Sequence, residues 1–432
     1  MIGMDKAALI SVIQDQHAFK LPVKTLERTP LASLEDFQAN RYVIVLSGVR
    51  RCGKSTLMHQ FRLKQAEQDF YLQFEDERLV AFTVADFQLL LETFIELYGV
   101  QKTLYFDEIQ NIEGWERFVR RVHDQGYKVY LTGSNSNMLS QELGTHLTGR
   151  YLSITLYPFS FAEFVQIANP ELLVPKNLGT DQIGLLKKAF REYSEVGGFP
   201  EYIETGLPDT LHMLYQNILY RDIVTRYRLS NPRPLKELVL FLASNISKEV
   251  SFNRVKTLLG LGSATTVSDY CSYLENVYLC FLINRYDPSL SKQTLHPKKC
   301  YLIDHALAKI IGFRPSEDRG RLLENLVFLE LKRRKKEVYF HKAERECDFL
   351  VREGSKITEA IQVCLDCSTP ETHSREVAGL LDAMRSYQLK SGLILTEDSS
   401  AEWVETEGQT EYIIRMQPVW KWLLQNSDRP DS

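Results

Sequence analysis

No stretch of this sequence holds the roughly 18–20 consecutive apolar residues that a membrane-crossing helix needs. The longest apolar runs, 42–46 and 238–243, match a strand or half a helix. The opening residues, MIGMDKAALISVIQDQ, lack a secretory apolar core, because Asp5, Lys6, Gln14 and Asp15 interrupt them. Cysteine is scarce. The seven thiols are odd in number and scattered, which speaks against a disulfide framework and predicts a reducing cytoplasm. A dominant charge is missing too: 52 Lys+Arg stand against 56 Asp+Glu, a formal net charge of −4. That disfavours a polybasic nucleic-acid binder but leaves room for a local basic patch. What is present is globular: 44% hydrophobic and 25% charged residues over 432 positions, enough for about two to four domains.

The strongest signal comes early. Residues 42–47 (YVIVLS) are a short β-branched run, expected as a buried parallel strand. It leads into Gly48, Val49, Arg50, Arg51, Cys52, Gly53, Lys54, Ser55 and Thr56, the pattern G-x-x-x-x-G-K-S. Leu57, Met58, Phe61 and Leu63 follow with helical spacing. Strand, glycine loop and helix form the context of a phosphate-binding loop. Gly48 and Gly53 let the backbone turn tightly, and the loop amides and helix N-terminus face negative phosphates. Lys54 is expected on the β- and γ-phosphates, and the Ser55 hydroxyl on Mg²⁺.

Residues 103–108 (TLYFDE) read as a strand ending in two carboxylates. Beside a phosphate loop, Asp107 would hold Mg²⁺ and Glu108 would polarise the attacking water. Alone, the pair has a lesser alternative as an acidic helix cap after a strand. A further strand, 128–132, ends in Gly133, Ser134, Asn135 and Ser136. Ser134 and Asn135 are candidates to touch the γ-phosphate or the water, with an ordinary polar turn as the alternative.

In this order, LSGVRRCGKST, LYFDEIQN, YLTGSNSNML and LTGRYLSITLYPFSFAEF resemble the prokaryotic AAA+-type ATPases of poorly defined role. The later VGGFPEY (196–202) and LYRDIVTRY (219–227) fit the same pattern. The resemblance implies ATP and Mg²⁺ as ligands, with ATP favoured over GTP because no N-K-x-D motif follows the sheet. It also implies a sensor at GSNS and an arginine finger at Arg150, which could join copies into a homo-oligomer. Arg221 and Arg226 are candidates for a second sensor. A protein partner is expected without being named, nucleic acid is not favoured, and no membrane is involved.

Strands starting near 42, 71, 104, 128 and 151, alternating with helices, predict an α/β, doubly wound parallel sheet. The expected divisions are an N-terminal helix and arm with Pro22 and Pro30 (1–40), a P-loop core (41–165), a helical lid (166–232), a winged-helix-like segment (233–292) and a restriction-endonuclease-like α/β domain (293–432). In the winged segment, helices at 235–246, 253–259 and 263–277 surround strands at 251–252 and 279–285. Its third helix carries no Lys or Arg, unlike a groove reader.

The final segment resembles a PD-(D/E)xK nuclease fold without its chemistry. Glu324 and Asp348 match the expected carboxylates. Gln362 and Cys364 stand where a Glu-x-Lys belongs, so this site is expected to be degraded. Cys364 and Cys367, with Cys347 and His341, could suggest zinc. Strand alternation puts Cys347 on the other face, so buried or free thiols are expected instead. The basic run 332–336 reads as a solvated helix end.

Overall fold

The computed structural model describes residues 4–21, 25–38, 40–136, 149–173, 179–313 and 318–425. The chain forms two compact units, Met1–Tyr157 with Asn276–Tyr278, and Pro158–Glu275 with Leu279–Ser432.

In the first unit, helix α1 (Lys6–Ala18) is capped by the Asp5 carboxylate and buries Leu9, Val12 and Ile13. The arm expected around Pro30 is helical there instead: α2 spans Pro30–Asp36. Proline suits a first helical turn, where its fixed φ fits and its missing N–H would have no partner. Pro22 lies outside the described residues. The sheet comprises β1 (Val43–Gly48), β2 (Tyr71–Gln73), β3 (Thr103–Asp107), β4 (Lys128–Gly133) and β5 (Tyr151–Leu156), in the order β2-β3-β4-β1-β5. All neighbours are parallel.

Every residue of β1 is buried, which explains its unbroken apolar run. Helices α3 (Lys54–Arg62), α4 (Phe87–Tyr98) and α5 (Trp115–Asp124) connect the strands. The Phe74, Phe82, Phe87, Phe106 and Phe118 rings meet edge-on, tilted or stacked in the core. Each such ring pair adds about 0.5–1.5 kcal/mol beyond area burial. Because β1 lies between β4 and β5, the strand order reverses across it. Open α/β sheets bind ligands beyond the carboxyl ends of strands at such a point.

The second unit starts with helices α6 (Phe161–Ala168), α7 (Thr180–Val196), α8 (Pro200–Thr205) and α9 (Pro208–Asn217). The segment Ile218–Thr225, which overlaps the LYRDIVTRY pattern, is a π-helix. The VGGFPEY turn is held by one carboxylate. Asp304 Oδ2 accepts from Gly198 N at 2.7 Å, while Oδ1 accepts from Leu307 N at 2.9 Å. A Cβ on Gly197 would lie 2.5 Å from Asp304 Oδ1, so only glycine fits that left-handed turn.

Helices α10 (Arg233–Ser244), α11 (Phe252–Leu258) and α12 (Ala264–Asn276) accompany an antiparallel sheet of β6 (Glu249–Val250), β7 (Cys280–Ile283) and β8 (Lys298–Leu302), ordered β6-β8-β7. The expected strand at 251–252 is corrected: pairing stops at Val250↔Lys298, and Ser251 precedes the first turn of α11. Helices α13 (Leu290–Leu295), α14 (His305–Ile311) and α15 (Arg319–Arg333) follow.

A six-stranded sheet closes the unit. Its strands are β9 (Glu337–Lys342), β10 (Glu346–Glu353), β11 (Lys356–Cys364), β12 (Ser391–Thr396), β13 (Ala401–Glu407) and β14 (Thr410–Pro418), ordered β13-β14-β12-β11-β10-β9. Helix α16 (Pro370–Tyr387) packs its apolar face on this sheet, and α17 (Val419–Leu423) ends the described chain. Strand β13 was not expected. Its AEWVETE sequence is charged and mostly exposed; it pairs with β14 and packs Trp403 against the core. Among the described residues no helix is long and apolar enough to cross a membrane.

Candidate functional site

The loop after β1 is shaped by its glycines. Gly48 has φ +145° and Gly53 φ +101°. A Cβ on Gly48 would lie 2.1 Å from the Leu156 carbonyl oxygen. Gly48→Ala is therefore expected to destabilise the first unit by about 1–3 kcal/mol, the usual range for overpacking. A thermal melt matching wild type would refute this. Arg28 braces the loop from outside: Nη1 donates to Cys52 O and Nη2 to Tyr157 O, each at 2.8 Å. Cys52 is buried, its Sγ 3.3 Å from Leu156 O, and burial pushes its thiol up. Arg51 is exposed with φ 60°, another left-handed position in this tight loop.

Lys54 is buried. Its Nζ donates to Gly48 O and Val49 O at 3.1 Å each and lies 3.6 Å from Glu108 Oε1. Asp107 and Glu108 leave the end of β3 under different constraints. Asp107 is fully buried, its Oδ2 accepting from Tyr71 Oη at 3.3 Å and its Oδ1 from Thr132 Oγ1. Burial, with repulsion from Glu108, lifts Asp107 to about 6. The Thr132 hydroxyl also accepts from Glu108 N at 2.9 Å, so one side chain orients both acidic residues. Burial pushes Glu108 up as well, but Lys54, Gln110 and Arg50 outweigh it and hold it below its usual value.

Glu108 sits at φ 52°, a left-handed position that a non-glycine residue adopts at a cost. Gln110 Nε2 donates to Glu108 Oε2 at 2.5 Å and lies 3.5 Å from Ser134 Oγ. Ser134 and Asn135 are buried just beyond β4. The structure thus brings Lys54, Ser55, Asp107, Glu108 and Ser134 to the carboxyl ends of three adjacent strands. A cavity of about 350 Å³ opens beside Ser55 and Thr56, with Phe19, His59 and Tyr71 in its wall. Sequence reasoning missed Arg28, Tyr71, Gln110 and Thr132. A lone threonine ending the apolar strand KVYLT was the one legible hint.

Residues 40–165 match the AAA domain model, and 187–317 match a domain of unknown function (DUF8612). An uncharacterized protein of Methanocaldococcus jannaschii, MJ1544, is 34% identical over 398 residues, covering 88% of each chain. An uncharacterized protein of Haemophilus influenzae is 32% identical over 413 residues, covering 91% of this chain and 97% of its own. The chain belongs to their family. Most of the AAA domain match, residues 40–157, lies in its first unit. Among solved structures, the Aeropyrum pernix ORC1 protein in complex with DNA aligns with a TM-score of 0.31 and 14% identity, covering 71% of this chain and 96% of that one. The Thermotoga maritima RuvB Holliday junction branch migration motor aligns with 0.28 and 16%, covering 60% and 90%. Likeness at that level says nothing of function.

Arg150 does not reach the AAA domain's phosphate loop in its own chain. It precedes β5, its carbonyl accepting from Val43 N at the start of β1. That places it one strand length, about 20 Å, from the loop end of the sheet. Its Nη1 pairs with Asp124 Oδ1 at 2.7 Å, and the side chain is exposed. Arg221 and Arg226 are exposed residues of the second unit, on and next to the π-helix.

The second unit gathers its own charges. Glu324 on α15 and Asp348 on β10 meet across Lys299 of β8, whose Nζ lies 3.2 Å from Glu324, 2.9 Å from Asp348 and 2.8 Å from Glu346. This corrects the expectation of a cluster without lysine, because the cation arrives from a distant strand. Tyr301 Oη donates to Glu324 Oε1 at 2.7 Å. Gln362 joins through its Oε1, which accepts from Asp348 N at 3.1 Å, while its Nε2 donates to Glu376 at 2.5 Å. Cys364 lines the same cleft.

Cys364 is not a free thiol but is disulfide-bonded to Cys367. Cys347 does not face away from them either. A register shift between Cys347 and Leu350 brings it into the same core cluster. Among the described residues no group of three or more His, Cys, Asp or Glu is arranged to hold a metal. The basic run is also corrected. Arg333 donates to the Pro158 and Phe159 carbonyls, Arg334 pairs with Glu330 and covers Trp422, and Lys336 pairs with Glu353 and Glu359.

Proposed function

We propose that the chain is an AAA+-type ATPase that binds ATP with Mg²⁺ and hydrolyses it. The observation that carries this reading is the meeting of Lys54 with Glu108 and the Thr132-linked Asp107 beyond β1, β3 and β4. The residues fit the ligands. The Gly48 cradle leaves no room for a side chain, and a hydroxyl beside a carboxylate is a hard oxygen set that suits Mg²⁺. Held by Ser55 and Asp107, Mg²⁺ would neutralise charge on the β- and γ-phosphates. Residues 48–56 would cradle the phosphates, with Lys54 as their cation. Glu108 would accept the proton of the attacking water, held in position by Gln110. Ser134 and Asn135 would orient that water or the γ-phosphate.

In this reading residues 166–232 act as a lid, 233–292 as a winged-helix module and 293–432 as a nuclease-like recognition module that hydrolysis moves. Nuclease chemistry is not favoured, because the Lys299 ammonium already pairs with Asp348 and Glu346 and bonds Glu324. Nucleic-acid binding is not favoured either. Helix α12 has no Lys or Arg, and three cations of the basic run have internal partners. An arginine finger from Arg150 would have to act on another copy of the chain.

Titration with a fluorescent ATP analogue tests the reading. Wild type is expected to bind in the presence of Mg²⁺, and Lys54→Ala to bind at least about tenfold more weakly, the loss of one charge-assisted phosphate contact. Absence of binding by wild type would refute the enzyme reading.

A further inference from the structure

We propose that Arg50 acts as an arginine finger in its own chain, delivered by the phosphate loop and held ready by Glu75. The inference rests on the ATPase reading above and adds a role for one side chain of the loop.

The loop carries two adjacent arginines that the structure treats differently. Arg51 is exposed, whereas the Arg50 side chain is only 15% exposed. Arg50 Nη1 pairs with Glu75 Oε1 at 2.8 Å, and the Glu75 side chain is 26% exposed. Glu75 follows β2, and the preceding Phe74 N donates to Asp107 O at 2.9 Å. The Arg50 guanidinium therefore spans from the loop after β1 to the residue next to the end of β3. That is the side of the loop where Lys54 and Glu108 meet. Arg150, the finger expected from the sequence, lies at the opposite end of the sheet.

The chemistry gives such a cation its task. Water oxygen bonds to the γ-phosphorus, its proton goes to Glu108, and the bond to the β–γ bridging oxygen breaks, so that ADP leaves with the electron pair. Negative charge grows on the bridging and γ-oxygens as this happens. A planar guanidinium held by a carboxylate can turn one edge to those oxygens while the other stays anchored. Glu75 is then a positioning residue, and Arg50 the group that touches the transferred phosphoryl.

The test compares wild type, Arg50→Ala and Arg50→Lys in two measurements. The first is calorimetric affinity for Mg·ADP with and without aluminium fluoride, which imitates the transferred phosphoryl. The second is kcat and KM for ATP. Arg50→Ala is expected to keep ADP affinity within about threefold and lose at least about tenfold of its preference for the aluminium fluoride complex. Its kcat should fall about 10²–10³-fold with KM little changed, below or at the lower edge of the effect known for such fingers. Arg50→Lys, keeping charge without the planar fork, should recover only part.

An Arg50→Ala variant with unchanged preference and kcat within threefold overturns the proposal. So does one that no longer binds ADP, which would make Arg50 a brace of the loop. If wild type hydrolyses ATP and Glu108→Gln abolishes this while Arg50→Ala does not, the finger alone fails. If wild type binds nucleotide but barely turns it over, the affinity ratio still decides. If wild type binds no nucleotide, the ATPase reading fails and the finger with it.

Discussion

Glu108→Gln is expected to bind ATP like wild type and to release phosphate about 10²–10⁴ times more slowly, the usual contribution of a general base. The amide matches the carboxylate in shape and can still meet Gln110, but it cannot take a proton. It also removes the negative partner 3.6 Å from Lys54, leaving that cation for the phosphates, so binding should not suffer. Phosphate release under saturating ATP measures the effect. Equal rates would remove Glu108 from the chemistry. A wild type that completes a single turnover no faster than the variant would point instead to a nucleotide-gated scaffold. The bound, slow variant would also serve as bait, since it should hold a protein partner in the ATP state.

Lys299→Met is expected to cost the second unit about 3–5 kcal/mol, the range for breaking a buried ion pair from one side. Methionine fills the space but leaves Glu324, Asp348 and Glu346 facing each other without their cation. Urea unfolding followed by fluorescence measures this, since Trp403, Trp420 and Trp422, three of the four tryptophans, lie in that unit.

The loss should depend on pH. Burial, with repulsion from Asp348, raises Glu324 to about 8 even with Lys299 and Tyr301 opposing the rise. An unfolded glutamate titrates near about 4.3. Between those values the folded state holds a proton that the unfolded chain has released, so stability falls as pH rises through this window. Without Lys299 the carboxylate is raised further, and the decline should continue above pH 8. A variant as stable as wild type at pH 6 and at pH 8.5 would show that the ammonium is not what holds these carboxylates together.

Much of the AAA domain was legible because its information is local. Strand β1 is buried on both faces and reads as an apolar run, and the loop that follows needs glycine at two strained positions, whatever packs around them. Asp107 and Glu108 end β3 in the same way, as two charges after an apolar strand. Helix α12 was visible in the sequence as the helix expected at 263–277. Strand β13 was not, because a mostly exposed edge strand that packs little more than Trp403 shows no clear apolar alternation.

By itself, then, the sequence determined the phosphate loop, the two carboxylates and the core strands that carry them. Only the tertiary structure decided which partners complete each site. Thr132 lies 25 residues from Asp107, and Lys299 is 25 and 49 residues from its two hydrogen-bonded acids. Arg150 and Arg50 are both arginines next to a strand of the same parallel sheet, yet one lies at its amino end and the other at its carboxyl end. Spacing along a chain specifies what a strand or loop can offer. Which charge faces which is settled by sheet order and by burial, which makes unpaired charges costly and so selects partners from far along the sequence.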